Sequence, residues 1–309
     1  QIWPGRPKNI SKNLVRMKND GYHESVVVYE VIEALHLKKA HKYIDATVGN
    51  GGHALEILKA GGQVLGIDLD PKMLLIAEKR LKGIAAKNYK LVNANFIEID
   101  GIAKDYGFNP VDGILFDLGV TNIHLKDLER GFSFGNEEAV LDMRLNSEVQ
   151  GVKAYDLLNV LREDQLEDLF KITLDPGGAK WITGRVLHSR AQKPIKSVGD
   201  MLEISEGLRT GKAGLNEATL PFLALRIAVN SELTNLEEVL PKAFNLLAKG
   251  GRLVVISFHS GEDTIVKNFF KEKSKEGAEI ITCKPVLAGI EEININRRAR
   301  SAKMRVLQK

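Results

Sequence analysis

Cysteine is nearly absent from this sequence, whose 309 residues include only Cys283. A single cysteine excludes an internal disulfide and a Cys-x-x-Cys metal knuckle, and it favours a reducing compartment such as the cytoplasm. Long hydrophobic runs are also absent, because no stretch of about 18 apolar residues occurs, so a membrane span is not expected. Residues 1–20 are polar and basic, which is not typical of a secretory signal. We therefore expect a cytoplasmic protein with no metal site and no membrane association.

The net charge of +4 is unevenly distributed along the chain. Residues 1–20 carry +4 and residues 297–309 carry +6, so residues 21–296 are acidic, with a charge of −6. An acidic body with basic ends suits a polyanionic partner that is contacted at particular places. Solvated termini that keep a protein soluble would have the same composition, and charge alone does not decide between the two. The basic residues near the end are Arg297, Arg298, Arg300, Lys303, Arg305 and Lys309.

Short β-branched runs alternate with helical patterns, which predicts an α/β fold with a mostly parallel sheet. The next buried strand, Arg252–Phe258, begins about 130 residues after the fourth strand. A crossover connection between parallel strands needs far fewer residues than this. The sequence therefore predicts an insertion after the fourth strand. The early elements are strands at Tyr43–Val48, Gln63–Asp68, Tyr89–Asn93 and Gly113–Phe116, and helices that begin at Ala54 and Pro71.

The domain organisation follows from this spacing. We predict a basic N-terminal arm at 1–22, a sheet domain made of 23–124 and 216–309, and an inserted helical subdomain for substrate recognition at 125–215. Helical spacing of leucines and other apolar residues predicts the insert's helices at Val152–Phe170, Lys180–Ala191 and Val198–Leu208. Helices from about Glu217 to Ala248 are expected to return the chain to the sheet and to end at Lys249-Gly250-Gly251. A closing pair of edge strands is expected at Ala278–Cys283 and Ala302–Leu307.

The segment Asp45-Ala-Thr-Val-Gly49-Asn-Gly51-Gly52-His53 lies between the first strand and its helix. Glycines allow a backbone to approach a ligand closely, and the helix N-terminus adds aligned N–H donors. Asp68 ends the second strand, where a carboxylate accepts the hydroxyls of a ribose. Gly49 to Ala54 also satisfies the dinucleotide fingerprint G-x-G-x-x-[GA], so a nicotinamide enzyme remains an alternative. Asp45 favours a methyltransferase, because these enzymes commonly place an acid there to hold the methionine end of their cofactor.

Further polar and aromatic residues follow the later strands. Asn95-Phe96 places an aromatic ring where it can pack against an adenine, and Asp117 ends the fourth strand at the edge where open α/β sheets bind ligands. Two loop segments, Arg130-Gly-Phe-Ser-Phe134 and Leu141-Asp-Met-Arg144, combine arginine with aromatic or apolar residues. Such a combination is suited to holding a phosphate and stacking an extruded base. We therefore predict that Arg130, Phe132, Phe134 and Arg144 contact the substrate.

Taken in order, these motifs resemble the bacterial ribosomal small subunit methyltransferase H family. The resemblance extends from about His23 to Val306, and about nine motifs in one order are far more specific than the glycine loop alone. The motifs are His23, Asp-x-Thr-x-Gly-x-Gly-Gly-His at 45–53, Ile67-Asp-x-Asp70, Asn95-Phe96, Asp117-Leu-Gly-Val, Arg130-Gly-Phe-Ser-Phe, Leu141-Asp-Met-Arg, Leu225-Arg-Ile-Ala-Val-Asn230, Ser257-Phe-His-Ser and Arg300-Ser-Ala-Lys.

The resemblance implies a class I methyltransferase fold, which is Rossmann-like, with an inserted helical domain. It also implies methyl transfer from S-adenosylmethionine to N4 of a cytosine in the decoding centre of 16S rRNA. Substrate contacts are expected at Asn230, Ser257 and Arg300 in addition to the loop residues. The cofactor contacts are expected at Asp45, Gly49, Gly51, Gly52, His53, Asp68, Phe96, Asp117 and His124.

The chain departs from the usual family pattern at several positions. Ser25 replaces a proline, His124 replaces a glutamine that is expected near the cofactor, and Gly261 replaces a leucine. Asn296–Arg298 reads Asn-Arg-Arg instead of Asn-Pro-Arg, and the segment 199–216 is short beside the family's insert.

The chemistry requires activation of the acceptor, because the lone pair of the cytosine amine is conjugated with the ring. A group that accepts a hydrogen bond from N4–H helps to localise that lone pair. Asp117 is our first candidate for this catalytic role and His259 is the second. Methylation at the ring carbon C5 is disfavoured, because it requires a cysteine nucleophile, usually in a Pro-Cys pair, and Cys283 follows Thr282.

The expected partner is 16S rRNA within a partly assembled small ribosomal subunit. The basic C-terminal residues and Arg130, Arg144, Arg185 and Arg190 are candidates for phosphate contacts, with a solvated helix face as the alternative for the last two. A non-catalytic RNA-binding protein with a vestigial cofactor pocket is a third function class, after the methyltransferase and the nicotinamide oxidoreductase. The sequence does not decide the oligomeric state, for which a homodimer is one candidate.

Overall fold

The computed structural model describes residues 25–84, 88–211 and 214–309. The predicted basic arm at 1–22 and the motif residue His23 lie outside the described residues. The chain divides into two compact units, each with its own core. The first unit contains the described residues up to Gly119 together with Leu233–Lys309, and the second is Val120–Glu232.

The first unit is a sheet flanked by helices. Its strands are β1 (Lys42–Asp45), β2 (Gln63–Asp68), β3 (Tyr89–Asn93), β4 (Val111–Asp117), β5 (Leu247–Ser257), β6 (Glu279–Ile280), β7 (Val286–Leu287) and β8 (Lys303–Gln308). Its helices are α1 (Val28–Leu35), α2 (Gly52–Lys59), α3 (Pro71–Leu81), α4 (Ile99–Asp105), α11 (Glu232–Leu246, which begins at the last residue of the second unit), α12 (Ser260–Lys275) and α13 (Ile290–Ile295). The second unit holds α5 (Asn122–Lys126), α6 (Ala154–Val160), α7 (Glu163–Lys171), α8 (Pro176–Gln192), α9 (Val198–Ser205) and α10 (Thr219–Val229).

The strand order is β3-β2-β1-β4-β5-β8-β6, with β7 also paired to β8. Strands β3, β2, β1, β4 and β5 are parallel, whereas β8 runs antiparallel to its neighbours. Strands β1, β2 and β4 and the second half of β5 are almost wholly buried, whereas β3 is largely half-buried or exposed. The buried strands lie between two apolar clusters, one containing Ile44 and Phe116 and the other Tyr43 and Leu115. Alternate residues of one strand thus enter different clusters. The predicted α/β fold with a mostly parallel sheet is confirmed.

Two details at the β8 side of the sheet differ from the sequence prediction. Helix α11 ends at Leu246, and the segment Lys249-Gly250-Gly251 belongs to β5 and does not end the helix. Gly250 has φ +79°, and the register between β4 and β5 shifts at Val111 and Gly113, which is how the strand accommodates these glycines. Strand β8 is internal and does not form an edge, because β6 and β7 pair with its other side.

The second unit is helical and packs around its own apolar cluster, which includes Phe170, Ile182 and Leu225. The predicted helix over 152–170 is two helices, because Leu161 is extended with ψ 143° and Arg162 begins the next helix as its N-cap. This compact unit is longer at both ends than the predicted 125–215 segment. The difference at its end arises from α10, which buries Phe222 and Leu225 in this cluster and does not return the chain to the sheet.

The carboxyl ends of the parallel strands bring polar residues to one edge of the first unit. Asp45, Asp68, Asp117 and Ser257 are the last residues of β1, β2, β4 and β5. Because these strands are neighbours and parallel, their last residues lie along the same edge of the sheet. In the part of the chain that the structure describes, no helix has both the length and the apolar character that a membrane crossing needs.

Candidate active site

The glycine loop joins β1 to α2 through backbone that only glycine adopts without strain. Gly49 has φ +52° and Gly51 has φ +79°. The Gly49 N–H donates to Asp68 Oδ2 at 2.8 Å, and the Val48 N–H donates to the Ile67 carbonyl at 2.9 Å. A β-carbon on Gly52 would collide with the hydroxyl of Ser25. The loop is therefore held against the end of β2, with no space for a side chain at Gly52.

Asp68 is positioned by two backbone amides. Its Oδ2 accepts from Gly49, and its Oδ1 accepts from the Asp70 N–H at 2.8 Å. Asp70 itself caps α3, since its side chain accepts from the Lys72 N–H at 2.8 Å. The Asp68 carboxylate is half-buried and lies at the end of β2. It is thus a fixed acceptor at the place where this fold binds a ribose.

Asp45 and His53 are buried polar side chains beside this loop. Asp45 is 1% exposed and His53 is 3% exposed. Among the described residues, Asp45 Oδ2 and both ring nitrogens of His53 make no hydrogen bond. Burial raises the pKa of the Asp45 carboxyl to about 7; the charge of His53 opposes this shift, and Asp117 adds to it. Unsatisfied buried polar atoms of this kind are costly unless a ligand completes them.

Asp117 lies between two cationic or protonatable side chains. Its Oδ2 is 3.7 Å from His53 Nε2, and its Oδ1 is 3.8 Å from Nη2 of Arg298. The Asp117 backbone N–H donates to Thr47 Oγ1 at 2.6 Å, which ties β4 to the loop after β1. Sequence reasoning missed Thr47 and the particular role of Arg298. The signal for Thr47 was its place in the Asp-x-Thr motif, whereas Arg298 was hidden among basic neighbours.

Phe96 follows β3 in a short 3₁₀ turn at Phe96–Glu98, which Asn95 caps by accepting from the Ile97 N–H at 3.1 Å. The ring of Phe96 packs edge-on against Phe116, with ring centroids 5.7 Å apart. Phe96 remains partly exposed, so a planar ligand can reach its ring.

His259 and Ser257, at the end of β5, serve the local fold. His259 is the N-cap of α12, with its Nδ1 accepting from the Glu262 N–H at 3.5 Å and its Nε2 3.3 Å from Glu262 Oε1. Glu262 Oε2 in turn accepts from the His259 N–H at 3.3 Å, which completes a capping box, and it also accepts from the Phe258 N–H at 2.7 Å. The Ser257 hydroxyl is buried and donates to the Lys303 carbonyl at 3.4 Å. These contacts give both side chains a structural role, although His259 Nε2 makes no hydrogen bond among the described residues. The catalytic role of His259 and the substrate role of Ser257 stay predictions.

The second unit contains Arg130, Phe132 and Arg144, and both guanidinium groups are bound within it. Arg130 lies over the ring of Phe132 at 5.4 Å and donates from Nη2 to the carbonyls of Arg144 and Leu145, both at 2.8 Å. Arg144 donates to both carboxylate oxygens of Asp142 at 2.7 Å and to the Gln150 carbonyl at 2.7 Å. The two arginines therefore organise their own loop.

Three other predicted site residues also lie in the second unit. Asn230 is 5% exposed; its amide donates to the carbonyls of Met143 and Arg226, and its oxygen accepts from Leu145 N–H. His124 is buried, and its Nδ1 accepts from the Thr121 N–H at 2.9 Å in the capping box of α5. Phe134 packs edge-on against Phe222 at 4.7 Å. The predicted cofactor role of His124 and the substrate roles of Asn230 and Phe134 stay predictions.

Two arginines that were predicted to contact phosphate donate hydrogen bonds to backbone carbonyls instead. Arg190 donates to the carbonyls of Leu158 and Leu161, and Arg185 donates to those of Glu203 and Ile204. Each arginine therefore caps the end of another helix.

Some of the basic C-terminal residues make contacts within the fold, and others are exposed to solvent. Arg305 is bidentate to Asp263, with its shorter contact at 2.6 Å, and Lys309 donates to two backbone carbonyls. Arg300 is exposed and has no hydrogen bond or ion pair to any residue of the described segments.

The pair Asp142–Arg144 allows a prediction about stability. Partial burial alone would raise the pKa of the Asp142 carboxyl, but the hydrogen bonds from Arg144 lower it. We expect Arg144→Met to destabilise the protein by about 2 to 3 kcal/mol, because it leaves a half-buried carboxylate without its partner. Urea unfolding measures this change. Arg162→Met is the matched control, since its pair with Asp164 is 72% and 67% exposed and its loss should have no measurable effect. Equal stability of the two variants would contradict the prediction.

The residues at this edge of the sheet suit a ligand that carries positive charge. Asp45, Asp68 and Asp117 end three neighbouring strands, and the imidazole of His53 lies beside Asp117. A pyrophosphate, as in a nicotinamide dinucleotide, would meet repulsion from these carboxylates. An ammonium or a sulfonium would be attracted, and the unsatisfied Asp45 Oδ2 provides an acceptor for an ammonium. S-adenosylmethionine carries both groups together with a ribose and an adenine, so the residues present fit this cofactor.

The comparisons with known proteins identify the family of this chain. Residues 20–309 match the family model described as the MraW methylase family. The chain is 41% identical over 292 residues to ribosomal RNA small subunit methyltransferase H from Sulfurihydrogenibium sp. (strain YO3AOP1), covering 92% of this chain and 98% of that protein. It is 40% identical over 290 residues to the protein of the same name from Dictyoglomus thermophilum, covering 93% and 96%.

Among solved structures, an rRNA methylase from Streptococcus thermophilus is similar with a TM-score of 0.42 and 12% identity, over 91% of this chain and 93% of that one. The family model and the two relatives extend over nearly the whole chain. The chain therefore belongs to the MraW methylase family and is a methyltransferase.

Proposed function

We propose that this protein transfers a methyl group from S-adenosylmethionine to N4 of a cytosine in the decoding centre of 16S rRNA. The observation that carries the proposal is the buried Asp45, whose Oδ2 is unsatisfied among the described residues and lies in a cluster of carboxylates at the glycine loop. The relatives' name, ribosomal RNA small subunit methyltransferase H, supports an rRNA of the small subunit as the substrate. The resemblance of the motifs supports cytosine N4 as the target.

Each part of the cofactor has a residue suited to it. The backbone at Gly49, Gly51 and Gly52 leaves room for close approach, and Asp68 is held by two amides as an acceptor for the ribose hydroxyls. Phe96 provides a partly exposed ring for the adenine. Asp45 accepts a hydrogen bond from the ammonium group. When bound, S-adenosylmethionine supplies an electrophilic methyl group on a positively charged sulfur.

Asp117 acts on the acceptor amine. Its carboxylate accepts a hydrogen bond from N4–H of the cytosine, which localises the nitrogen lone pair for attack. With S-adenosylmethionine bound, the methyl–sulfur bond would break as the N–C bond forms, and its electron pair would stay on the sulfur of the leaving S-adenosylhomocysteine. The positively charged nitrogen would then release that proton to a carboxylate oxygen of Asp117. Thr47 Oγ1 fixes the backbone of Asp117, and Arg298 forms an ion pair with its carboxylate at 3.8 Å, which favours one orientation of the acceptor oxygen.

The RNA is held by exposed cations. Arg300 is available for a phosphate because its guanidinium has no partner among the described residues. The second unit, Val120–Glu232, is our candidate for substrate recognition. We expect the substrate to be a partly assembled small subunit, since the target cytosine is embedded in folded rRNA, and we expect the enzyme to act in the cytoplasm where subunits are assembled.

The direct test supplies tritiated S-adenosylmethionine and small subunits from cells that lack the endogenous enzyme. After incubation, the rRNA is digested and its nucleosides are separated. Label in N4-methylcytidine is the expected result and supports cofactor, substrate and target atom together. Label in another nucleoside would overturn the target atom and keep the cofactor. Absence of label, together with absence of cofactor binding by calorimetry, would overturn the proposal, and equal labelling of short naked RNA would contradict the assembled substrate.

A further inference from the structure

Arg298 makes contacts that its place in a basic segment does not reveal. Its side chain is only 13% exposed, and its guanidinium carbon lies 4.1 Å from the centre of the Phe258 ring. Its Nη2 donates to the Leu118 carbonyl at 3.0 Å and lies 3.8 Å from Asp117 Oδ1. One guanidinium therefore contacts the turn after β4 and the first aromatic residue after β5.

The backbone around Arg298 is also well determined. It lies in a 3₁₀ turn at Arg297–Ser301, between α13 and β8. The buried side chain of Asn296 accepts from the Arg298 N–H at 3.2 Å, and the Asn296 N–H donates to the Glu292 carbonyl at 2.7 Å. Ala299 is 1% exposed. A turn fixed in this way holds Arg298 in one place, unlike a side chain that reaches into solvent for a phosphate.

Arg300 provides the contrast within the same turn. It lies two residues further on, is exposed and has no partner in the described part of the chain. From the sequence, both arginines were assigned to one basic group with one expected role. The structure separates them, because only Arg298 is directed at the carboxylate that we propose to act on the acceptor amine.

We propose that Arg298 is a positioning residue for methyl transfer, which orients the Asp117 carboxylate and the turn after β4 and does not bind rRNA phosphate. The inference rests on the proposed role of Asp117. The planar guanidinium keeps its charge at every accessible pH and stacks on Phe258, so it is a rigid partner for a carboxylate. Without it, the ion pair at Oδ1 is lost, and we expect the carboxylate to shift toward His53, whose Nε2 lies 3.7 Å from Oδ2. The oxygen that faces the amine is then displaced.

The experiment compares Arg298→Met with Arg300→Met, using tritiated cofactor and small subunits at several salt concentrations. For Arg298→Met we expect kcat to fall about 10- to 100-fold, with KM for the subunit changed less than about threefold. For Arg300→Met we expect the opposite division, with KM raised more than kcat is lowered and the salt dependence of binding reduced by about one phosphate contact. An unchanged kcat and a raised KM in Arg298→Met would overturn the proposal.

A double-mutant cycle tests whether Arg298 affects kcat through Asp117. Adding Arg298→Met to Asp117→Asn should cause little further loss of kcat, because the residue being positioned has already lost its charge. Fully additive losses would overturn the inference. Arg298→Ala provides a second readout, since free guanidine added to the solution should restore part of kcat if the lost function is local orientation. Absence of rescue in a variant that melts like the wild-type protein counts against it.

Two measurements separate this inference from the proposed function. Arg298→Lys keeps a positive charge and is expected to retain the fold, but it cannot hold the Leu118 carbonyl and the carboxylate with a planar group, so we expect an intermediate kcat. A wild-type kcat for Arg298→Lys would show that the planar shape of the guanidinium is not needed to orient Asp117. If the wild-type protein methylates another nucleoside, the proposed target fails, and the coupling of Arg298 to Asp117 is still measured on that product.

Discussion

Asp117→Asn is expected to lower kcat by about 10²- to 10⁴-fold, the range that general acid–base groups contribute. The asparagine has the same shape but no negative charge, and its amide nitrogen cannot accept the proton released from N4. The backbone N–H of residue 117 still donates to Thr47 Oγ1, so the end of β4 should remain in place. Single-turnover labelling of small subunits measures the chemical step, and calorimetry measures the affinity for S-adenosylmethionine separately.

His259→Asn is the comparison for this experiment, because asparagine also caps helices well. His259 uses its ring to cap α12, with its Nε2 3.3 Å from Glu262, and the variant should therefore lose less than about tenfold in kcat. Two outcomes would contradict our order of candidates. One is full turnover by Asp117→Asn with normal cofactor affinity, and the other is a larger loss in His259→Asn at unchanged stability.

The ligand-free protein should lose stability as the pH rises from about 4 to about 7, and Asp45 should be a main cause. The pKa of Asp45 is raised from 3.8 to about 7 in the folded protein. In this window the folded state therefore holds a proton that the unfolded chain has released. By linkage, the contribution of Asp45 to the free energy of unfolding is fully present below the pKa of Asp45 in the unfolded chain. It is lost as the pH rises from that value through the pKa in the folded protein, by up to about 4 kcal/mol in total.

Asp45→Asn removes this titration. Its stability relative to the wild-type protein should increase by about 2 to 3 kcal/mol between pH 5 and pH 8, as measured by urea unfolding at each pH. The affinity of the wild-type protein for the cofactor should have the opposite pH dependence to its stability, because the Asp45 carboxyl must lose its proton to accept a hydrogen bond from the ammonium. We therefore expect wild-type affinity for S-adenosylmethionine to rise with pH up to about 7, and we expect the variant to bind weakly at every pH. A constant stability difference across this range would show that Asp45 is not the titrating group.

The elements whose signals are local were predictable from the sequence. Strands β2 and β3 have the predicted bounds and helix α3 begins at the predicted Pro71, because β-branched runs and Pro71 lie within the elements that they define. The pairing of β8 between β5 and β6 was not predictable, because it depends on contacts between distant segments. The packing of α10 in the core of the helical unit was likewise not predictable, because an apolar helix pattern does not specify which core the helix packs into.

The candidate site shows the same division. The glycine loop and Asp68 were predictable because the motif places them at the ends of β1 and β2, and their observed contacts join these two ends. Most of the predicted arginine roles could not be judged from the sequence, which shows charge but not partners. Arg144 and Arg190 are used inside the fold, whereas Arg300 is exposed. Burial with unsatisfied atoms, as at Asp45, becomes visible only when the surrounding side chains are placed.

The position of the second unit between β4 and β5 has a consequence for the order of events during synthesis. Strands β4 and β5 are hydrogen-bonded neighbours, yet the whole of Val120–Glu232 is translated between them. At typical ribosomal speeds this takes on the order of ten seconds, during which β4 exists without its partner. The helical unit has its own core, and its contacts are mostly closer in sequence, so it can fold during this interval. The nascent chain therefore passes through a stage in which the insert is complete while the sheet that carries it still has an open edge.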